Sequence, residues 1–158
     1  MNASKRGTGH GRSGHRTVAS KGDDEHPPIF RWPVRVYFED TDAGGVVYHA
    51  NYLRFMERAR TEWLRALGFE QDELRTRFGL QFVVIAAHIE YRQAARFNAE
   101  LDVSVMVTDV GRASLNFEQQ IRDAGSLVCE AGIRVACVDA VNFKPRSLPQ
   151  EIVAELNR

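Results

Sequence analysis

The chain has 158 residues, 44% of them hydrophobic, which is enough for one domain to bury a core without disulfide or metal staples. Its 21 Lys and Arg residues balance its 21 Asp and Glu residues, so the net charge gives no reason to expect nucleic acid or an anionic membrane as the main partner. No apolar run approaches the roughly 20 residues that span a bilayer, and we expect a cytoplasmic protein.

Residues 1–28 are rich in Gly, Ser, His and charged side chains and contain no hydrophobic segment. Such a composition cannot bury enough surface to offset the entropy of ordering, so it predicts a disordered extension and not a secretory signal. Its histidines are irregularly spaced, and no metal site is predicted there. The folded domain is expected over residues 29–158.

The next segment combines a strand, a turn and a long helix. Residues 34–38 alternate apolar and polar side chains, which is typical of a half-buried strand that would end at the carboxylates of Asp40 and Asp42. Gly44 and Gly45 then break the strand. Over residues 52–67 the apolar side chains recur at the spacing of an amphipathic helix.

This order of elements predicts an active-site layout. Glycines let the backbone approach a ligand closely. A helix start presents unpaired N–H groups and the positive end of a dipole. A carboxylate and an anion-binding helix end would therefore face one another.

The rest of the chain is predicted to be mostly strands. After a glycine cap at Gly68 we expect a short helix over residues 71–77. The apolar run FVVIAAHIEY is typical of a central strand with a covered face. Further strands are expected over residues 101–108, 113–121 and 127–139, and PRSLPQEIVAEL should form a closing loop and one or two helical turns.

One strand, one helix and four consecutive strands with short turns cannot form a parallel βαβ sheet, because each parallel pair needs a crossover. The predicted class is therefore α+β, with an antiparallel five-stranded sheet wrapped around one long central helix. Cys129 and Cys137 would lie roughly 26 Å apart on one strand, too far for a disulfide. We expect both thiols to be buried and reduced.

Two other enzyme or metal sites could use the Asp-Thr-Asp sequence that begins at Asp40. A haloacid-dehalogenase-type phosphatase needs alternating strands and helices and a later acidic pair, which the downstream pattern does not offer. A calcium loop needs Glu at its twelfth position, where this chain has Asn51. Neither interpretation is favoured.

Three stretches, FRWPVRVYFEDTDAGGVVYHANY, ERARTEWLR and KPRSLP, resemble the hotdog-fold acyl-CoA thioesterases of the 4-hydroxybenzoyl-CoA thioesterase branch. The resemblance extends from about Phe30 to about Glu155 and is strongest to the members associated with the bacterial Tol-Pal system. It implies hydrolysis of acyl-CoA to a free acid and CoA without a cofactor. It also implies homodimers that stack into homotetramers, acyl carrier protein as an alternative partner, and a location in the cytoplasm or peripheral to the inner membrane.

The resemblance assigns the catalytic carboxylate to Asp42, as nucleophile or as general base. It assigns the principal backbone donor for the thioester carbonyl to His49, between Tyr48 and Ala50, and the imidazole of His49 could also orient water. Gly45 would contact the substrate. The competing interpretation is that His49 and Asn51 cap the helix, and for Asn51 we expect the cap.

Several other residues carry expectations. Asp40 and Glu39 are expected to be structural. Phe38 stands where the family often has Tyr, so a hydroxyl is absent or supplied by Tyr37. Helix residues such as Met56 are expected in the core. Cations at the pocket mouth would bind the CoA phosphates; the candidates are Arg92, Arg96, Arg112, Lys144 and Arg146, with Lys144 or Arg146 favoured.

An alternative function is a non-catalytic hotdog protein that binds acyl-CoA or acyl carrier protein as a scaffold linked to the cell-envelope Tol-Pal system. Retention of Asp42 favours catalysis. The sequence does not predict the length of the acyl chain, nor whether it is aromatic or aliphatic.

Overall fold

A computed structural model of the chain describes residues 28–158. The predicted disordered extension lies outside the described residues. The strands are β1 (Phe30–Arg35), β2 (Leu80–Tyr91), β3 (Glu100–Val110), β4 (Ser114–Asp123) and β5 (Ser126–Asp139), and the helices are α1 (Asn51–Ala66), α2 (Gln71–Phe78) and α3 (Gln150–Leu156).

The five strands form one sheet in the order β1-β3-β4-β5-β2, and every neighbouring pair is antiparallel. Helix α1 packs its apolar stripe onto this sheet. Phe55, Met56 and Ala59 are fully buried, and the Trp63 ring meets the Phe117 ring of β4 edge-on at 5.1 Å. The α+β hotdog arrangement is therefore confirmed.

The ends of the helices follow the predicted signals. Helix α1 ends at Ala66 with Leu67 as its C-cap, and the following Gly68 has a φ of +90°, a conformation that glycine adopts without a Cβ penalty. Helix α2 is capped in the same way by Gly79, at a φ of +65°. Among the helices of residues 28–158, none is long and apolar enough to cross a membrane.

The first strand is shorter than predicted. Val36 still pairs with the segment just before β3: its N–H donates to Ala99 O at 2.9 Å, and its carbonyl accepts the N–H of Asn98 at 3.0 Å. A 3₁₀ turn over Phe38–Asp40 then replaces the strand, and the Phe38 side chain is 80% exposed, where alternation predicted burial. The cause is the Asp40 carboxylate, whose Oδ2 accepts the N–H of Tyr37 at 2.8 Å and stabilises the turn in place of a strand partner.

Strand β2 was predicted to be central, and this is wrong, because it forms an edge of the sheet next to β5. Val84 and Ile85 in its middle are 52% and 54% exposed. The apolar run of β2 therefore cannot be explained by burial within the described part of one chain. An uncovered apolar edge is a template for pairing with another strand.

Cys129 and Cys137 lie on β5, and both are buried and free, as expected. Burial raises the pKa of the Cys129 thiol to about 12. This thiol is therefore kept protonated and unreactive at neutral pH.

Candidate active site

The segment between the 3₁₀ turn and α1 folds back on itself as a tight hairpin. The N–H of Asp42 donates to Val46 O at 2.9 Å, and the N–H of Tyr48 donates to Asp40 O at 2.9 Å. A bridge between Thr41 and Val47 lies between these bonds. The hairpin therefore returns the chain from Asp42 directly to the start of α1.

The two glycines shape the tip of this hairpin. Gly45 donates to Asp42 O at 3.0 Å with a φ of +74°, which favours glycine. Gly44 donates its N–H to Asp42 Oδ1 at 2.8 Å, and a Cβ added at Gly44 would lie 3.1 Å from that oxygen. Within residues 28–158, Asp42 Oδ2 accepts no hydrogen bond, and the side chain is exposed. One carboxylate oxygen is fixed and the other is available.

Asp40 joins the hairpin to the helix. It is only 6% exposed, and its carboxylate accepts the N–H of Tyr37 and the side-chain amide of Asn51, the latter at 3.1 Å. These contacts give Asp40 the structural role that was expected. Because Asn51 is the first residue of α1, its hydrogen bond to the buried Asp40 carboxylate fixes the position of the helix start.

The prediction that Asn51 caps the helix is wrong. Ala50 holds the N-cap position, makes no side-chain cap, and Asn51 is already the first helical residue. The Asn51 side chain is turned towards the Asp40 carboxylate, because a buried carboxylate needs a donor more than an exposed helix end does.

Two backbone N–H groups remain available at the start of α1. Within the described residues, neither the N–H of His49 nor that of Ala50 donates to a protein acceptor, while the next N–H, of Asn51, donates to Tyr48 O at 2.8 Å. The His49 carbonyl accepts the Tyr91 hydroxyl at 2.8 Å, which ties the helix start to the end of β2. Free N–H groups at a helix start suit a negatively charged oxygen.

The His49 side chain lies at the surface between two aromatic rings. Its imidazole centroid is 4.5 Å from the Tyr48 ring and 6.3 Å from the Tyr91 ring, which meets it edge-on. These contacts restrict the orientation of the imidazole at the start of α1. The arrangement agrees with a helix-start site more than with a capping role.

A depression of about 280 Å³ adjoins this helix start. We call it the His49 depression, and its lining is Val47, His49, Tyr52, Tyr91, Arg92, Gln93 and Ala94. The Tyr52 hydroxyl accepts the N–H of Ala95 at 3.0 Å. Burial raises the pKa of Tyr52, and the hydrogen bond from Ala95 offsets part of this effect.

Of the predicted cations, Arg92 lines the His49 depression and Arg96 forms a bridge with Val46 of the hairpin, but the two favoured ones lie elsewhere within one chain. Lys144 and Arg146 follow β5, whose last residue Asp139 pairs with Leu80, whereas Tyr91, at the other end of β2, contacts His49. Since β2 has 12 residues, its two ends are roughly 36 Å apart. Lys144 and Arg146 therefore cannot reach the His49 depression of their own chain.

Arg146 also has a structural contact that the sequence did not predict. Its Nη1 donates to Asp139 Oδ2 at 2.9 Å. The pKa of Asp139 is lowered first by backbone N–H bonds from Val141 and Asn142 and then by Arg146. Arg146 thus braces the loop after β5, while the ammonium of Lys144 forms no ion pair within residues 28–158.

Three residues of this region were not singled out from the sequence. Gly44 was predicted only as a strand breaker, although it holds the Asp42 carboxylate. Tyr52 had a signal, because it occupies the first apolar position of the helical stripe. Tyr91 had none, since its partner His49 lies 42 positions away in the chain.

Comparison with known proteins agrees with this geometry. Residues 36–156 match the model of the thioesterase-like superfamily. The chain is 49% identical over 131 residues to the acyl-CoA thioester hydrolase YbgC of Escherichia coli O6:H1, covering 82% of this chain and 97% of that protein. It is 48% identical over 125 residues to the acyl-CoA thioesterase YbgC of Haemophilus influenzae, covering 79% and 92% of the two chains.

The crystal structure of a probable thioesterase from Bartonella henselae superposes with a TM-score of 0.74 at 35% identity, over 77% of this chain and all of that one. The hairpin and the start of α1 lie inside the segment matched by the family model. This chain belongs to the thioesterase-like superfamily of hotdog-fold proteins.

Proposed function

We propose that this protein hydrolyses acyl-CoA thioesters, releasing the free acid and CoA. Two observations on one hairpin support the proposal: Asp42 has one carboxylate oxygen held by Gly44 and the other without a donor, and within residues 28–158 the N–H groups of His49 and Ala50 at the start of α1 have no acceptor. The relatives named as acyl-CoA thioesterases support the choice of substrate class.

The thioester carbonyl oxygen would accept the N–H groups of His49 and Ala50. Negative charge develops on this oxygen as the carbonyl carbon becomes tetrahedral, and each such donor is worth roughly 3–4 kcal/mol in acyl transfer. The positive end of the α1 dipole adds to the stabilisation. Tyr48 would hold the imidazole of His49 where it can orient the attacking water.

Asp42 Oδ2 would then act in one of two ways. As a nucleophile it attacks the carbonyl carbon, the carbon–sulfur bond breaks, CoA leaves as a thiolate that takes up a proton, and water hydrolyses the resulting mixed anhydride. As a general base it takes a proton from a water molecule that attacks instead. Gly44 fixes Oδ1 in either case, and the bare backbone of Gly45 lets the substrate approach.

A second copy of the chain would complete the site. We expect the β2 edges of two copies to pair antiparallel, because this covers the exposed Val84 and Ile85. The Leu80 end of one copy then lies beside the Tyr91 end of the other. The free ammonium of Lys144 from one copy would thereby approach the His49 depression of the other and bind a CoA phosphate, whereas Arg146 would only support its loop.

Three properties stay predictions from the family resemblance: assembly into a homotetramer, binding of acyl carrier protein, and a location peripheral to the inner membrane. The alternative function is a non-catalytic binding protein or scaffold linked to the Tol-Pal system. It differs from the enzyme in one respect that can be measured, because it requires no chemistry from Asp42.

The test is a thiol-release assay with benzoyl-CoA and a series of fatty acyl-CoA esters. Asp42→Asn and Asp42→Ala should each lower kcat by about two or more orders of magnitude, comparable to losing a positioned base or nucleophile. Asp72→Asn, which changes an exposed carboxylate on α2, serves as the matched control and should keep wild-type activity. Equal turnover by all of these proteins would remove the assignment of Asp42, and no turnover by wild type would favour the scaffold.

A further inference from the structure

A second cavity lies farther along α1, and the proposed mechanism does not use it. Its volume is about 110 Å³, and it lies between α1, α2 and strands β2, β4 and β5. We call it the Arg60 cavity. Most of its wall is apolar: Trp63, Leu64, Phe82, Val84, Leu115, Phe117 and Val135. Its polar lining is Glu57, Arg60, Thr61 and Gln71.

The guanidinium of Arg60 is held in this cavity by a buried amide. Arg60 Nη1 donates to Gln119 Oε1 at 2.7 Å. Gln119 is 1% exposed, and its Nε2 donates to Met56 O at 3.1 Å and to Ser104 O at 3.2 Å. Because both N–H donors of this amide are used on carbonyls, its oxygen is directed at Arg60.

Among the described residues, the other donors of Arg60 have no hydrogen-bond partner. A guanidinium has five N–H donors. Arg60 forms no ion pair within residues 28–158, and no fully buried side-chain nitrogen or oxygen in that range lacks a partner. The unpaired nitrogens of Arg60 are therefore accessible to solvent, and Arg60 is one of the residues that line the cavity.

This cation is partly removed from water. Burial lowers the pKa of Arg60, and the charge of Glu57 offsets part of that effect. Glu57 is exposed, and its Oε1 accepts the Thr61 hydroxyl at 3.1 Å, so it is not the partner of Arg60. A partly desolvated cation that has no counter-ion within residues 28–158 would interact favourably with a planar carboxylate acceptor.

The Arg60 cavity and the His49 depression both border α1. Strand β2 lines both, with Tyr91 at the His49 depression and Phe82 at the Arg60 cavity. Arg60 follows His49 by eleven positions (60 − 49), which is roughly 16 Å along the helix axis. A linear acyl group that reaches Arg60 from a carbonyl at the start of α1 would have to span this distance.

We propose that the Arg60 cavity binds the far end of the acyl group and that Arg60 selects thioesters with a carboxylate at that end. The inference rests on the proposed function and adds a substrate class to it, the mono-CoA thioesters of linear dicarboxylic acids. The apolar wall packs against the methylene chain, and the guanidinium binds the terminal carboxylate through two parallel hydrogen bonds.

The experiment compares kcat/KM for dicarboxylic mono-CoA thioesters and fatty acyl-CoA esters of equal chain length, from six to twelve carbons. In wild type the ratio of the two should exceed about tenfold at one length, since a charge-assisted hydrogen bond is worth roughly 1.5–3 kcal/mol. Arg60→Met should bring this ratio to about one, chiefly by lowering kcat/KM for the dicarboxylic thioesters. Arg60→Lys should give an intermediate ratio, and Glu57→Gln should raise it by removing a repelling charge.

Equal ratios in wild type and Arg60→Met at every length would overturn the inference while leaving the proposed function intact. Absence of turnover with both classes would instead refute the proposed function. Binding then decides the inference: the side-chain NMR signal of Arg60 in the wild-type protein is followed with carboxyalkyl-CoA and alkyl-CoA thioethers, which cannot be hydrolysed. A shift of the Arg60 signal with the carboxylated analogue alone supports the selection, and identical spectra with both analogues overturn it. Because this measurement uses the wild-type protein, it decides the inference even if Arg60→Met fails to fold.

Discussion

The backbone of Gly44 holds the Asp42 carboxylate at the tip of the hairpin, since the Gly44 N–H donates to Asp42 Oδ1 at 2.8 Å. A Cβ added at Gly44 would lie 3.1 Å from the same oxygen, closer than ordinary van der Waals contact. The residue that orients the carboxylate is therefore not another side chain but the smallest residue of the turn. This relationship makes the backbone at Gly44 part of the proposed catalytic geometry.

Gly44→Ala should lower kcat for fatty acyl-CoA by about ten- to a hundredfold, because the new Cβ would displace the carboxylate and small misplacements at a reacting group are costly. Thiol release measures the loss, and circular dichroism checks that the fold is kept. Gly132→Ala is the matched control, since a Cβ at Gly132 on β5 meets nothing within 4 Å. Equal activity of the two variants would contradict the role given to Gly44.

Asn51→Ala should lower the free energy of unfolding by about 1–3 kcal/mol, because it removes a donor from the buried Asp40 carboxylate. Urea unfolding measures the change. Asn116→Ala breaks an amide–carboxylate bond of similar length, 3.0 Å to Asp109, at an exposed place and should cost less than about 0.5 kcal/mol. A larger loss at Asn116 than at Asn51 would argue against Asp40 as the anchor of the helix start.

Ile85→Lys should convert the protein to monomers and abolish most of its turnover. Ile85 is 54% exposed on the β2 edge, and a lysine there opposes pairing with a second copy. Analytical ultracentrifugation gives the mass, and Val110→Lys, on a 40% exposed residue at the end of β3, is the control. A monomer with full activity would show that one copy holds the complete site.

The free energy of unfolding should fall as the pH rises above about 9. The Cys129 thiol has a pKa of about 12 in the folded chain against an ordinary value of 9.0, with burial as the main cause. The unfolded chain thus loses this proton first, so the stabilisation is complete below pH 9 and is lost towards pH 12. In Cys129→Ala, the free energy of unfolding measured with urea should decline less between pH 9 and pH 12 than in wild type. An equal decline in the two proteins would show that other groups cause it.

Much of the fold could be predicted because its signals are local. The apolar stripe of α1, the glycine at position 68 and the alternation in β3 to β5 depend on residues within a few positions of one another. The early end of β1 could not be predicted, since the Asp40 carboxylate replaces a strand partner of Tyr37. The position of β2 at the edge of the sheet could not be predicted either. Its apolar run predicts that the strand is buried, but not whether another strand of the same chain or a second chain buries it.

The candidate site divides in the same way. Asp42, Gly45, Tyr48, His49 and Ala50 are brought together by one short hairpin, so a contiguous motif sufficed to group them. Lys144 lies at the far end of β2, a separation that only the register of β2 with β5 reveals. The hydrogen bonds from Tyr91 to His49 and from Arg60 to Gln119 join distant parts of the chain. The local spacing of residues therefore could not predict them.

The central claim is that the Asp42 carboxylate and the first N–H groups of α1 act on the same thioester carbonyl. A crystal structure with a CoA analogue that carries a ketone in place of the thioester tests it most directly. We predict the ketone oxygen roughly 2.7–3.1 Å from the backbone nitrogen of His49 or Ala50, with Asp42 Oδ2 facing the carbonyl carbon. A ketone bound away from the helix start, or an Asp42 carboxylate turned from it in the complete assembly, would contradict the account.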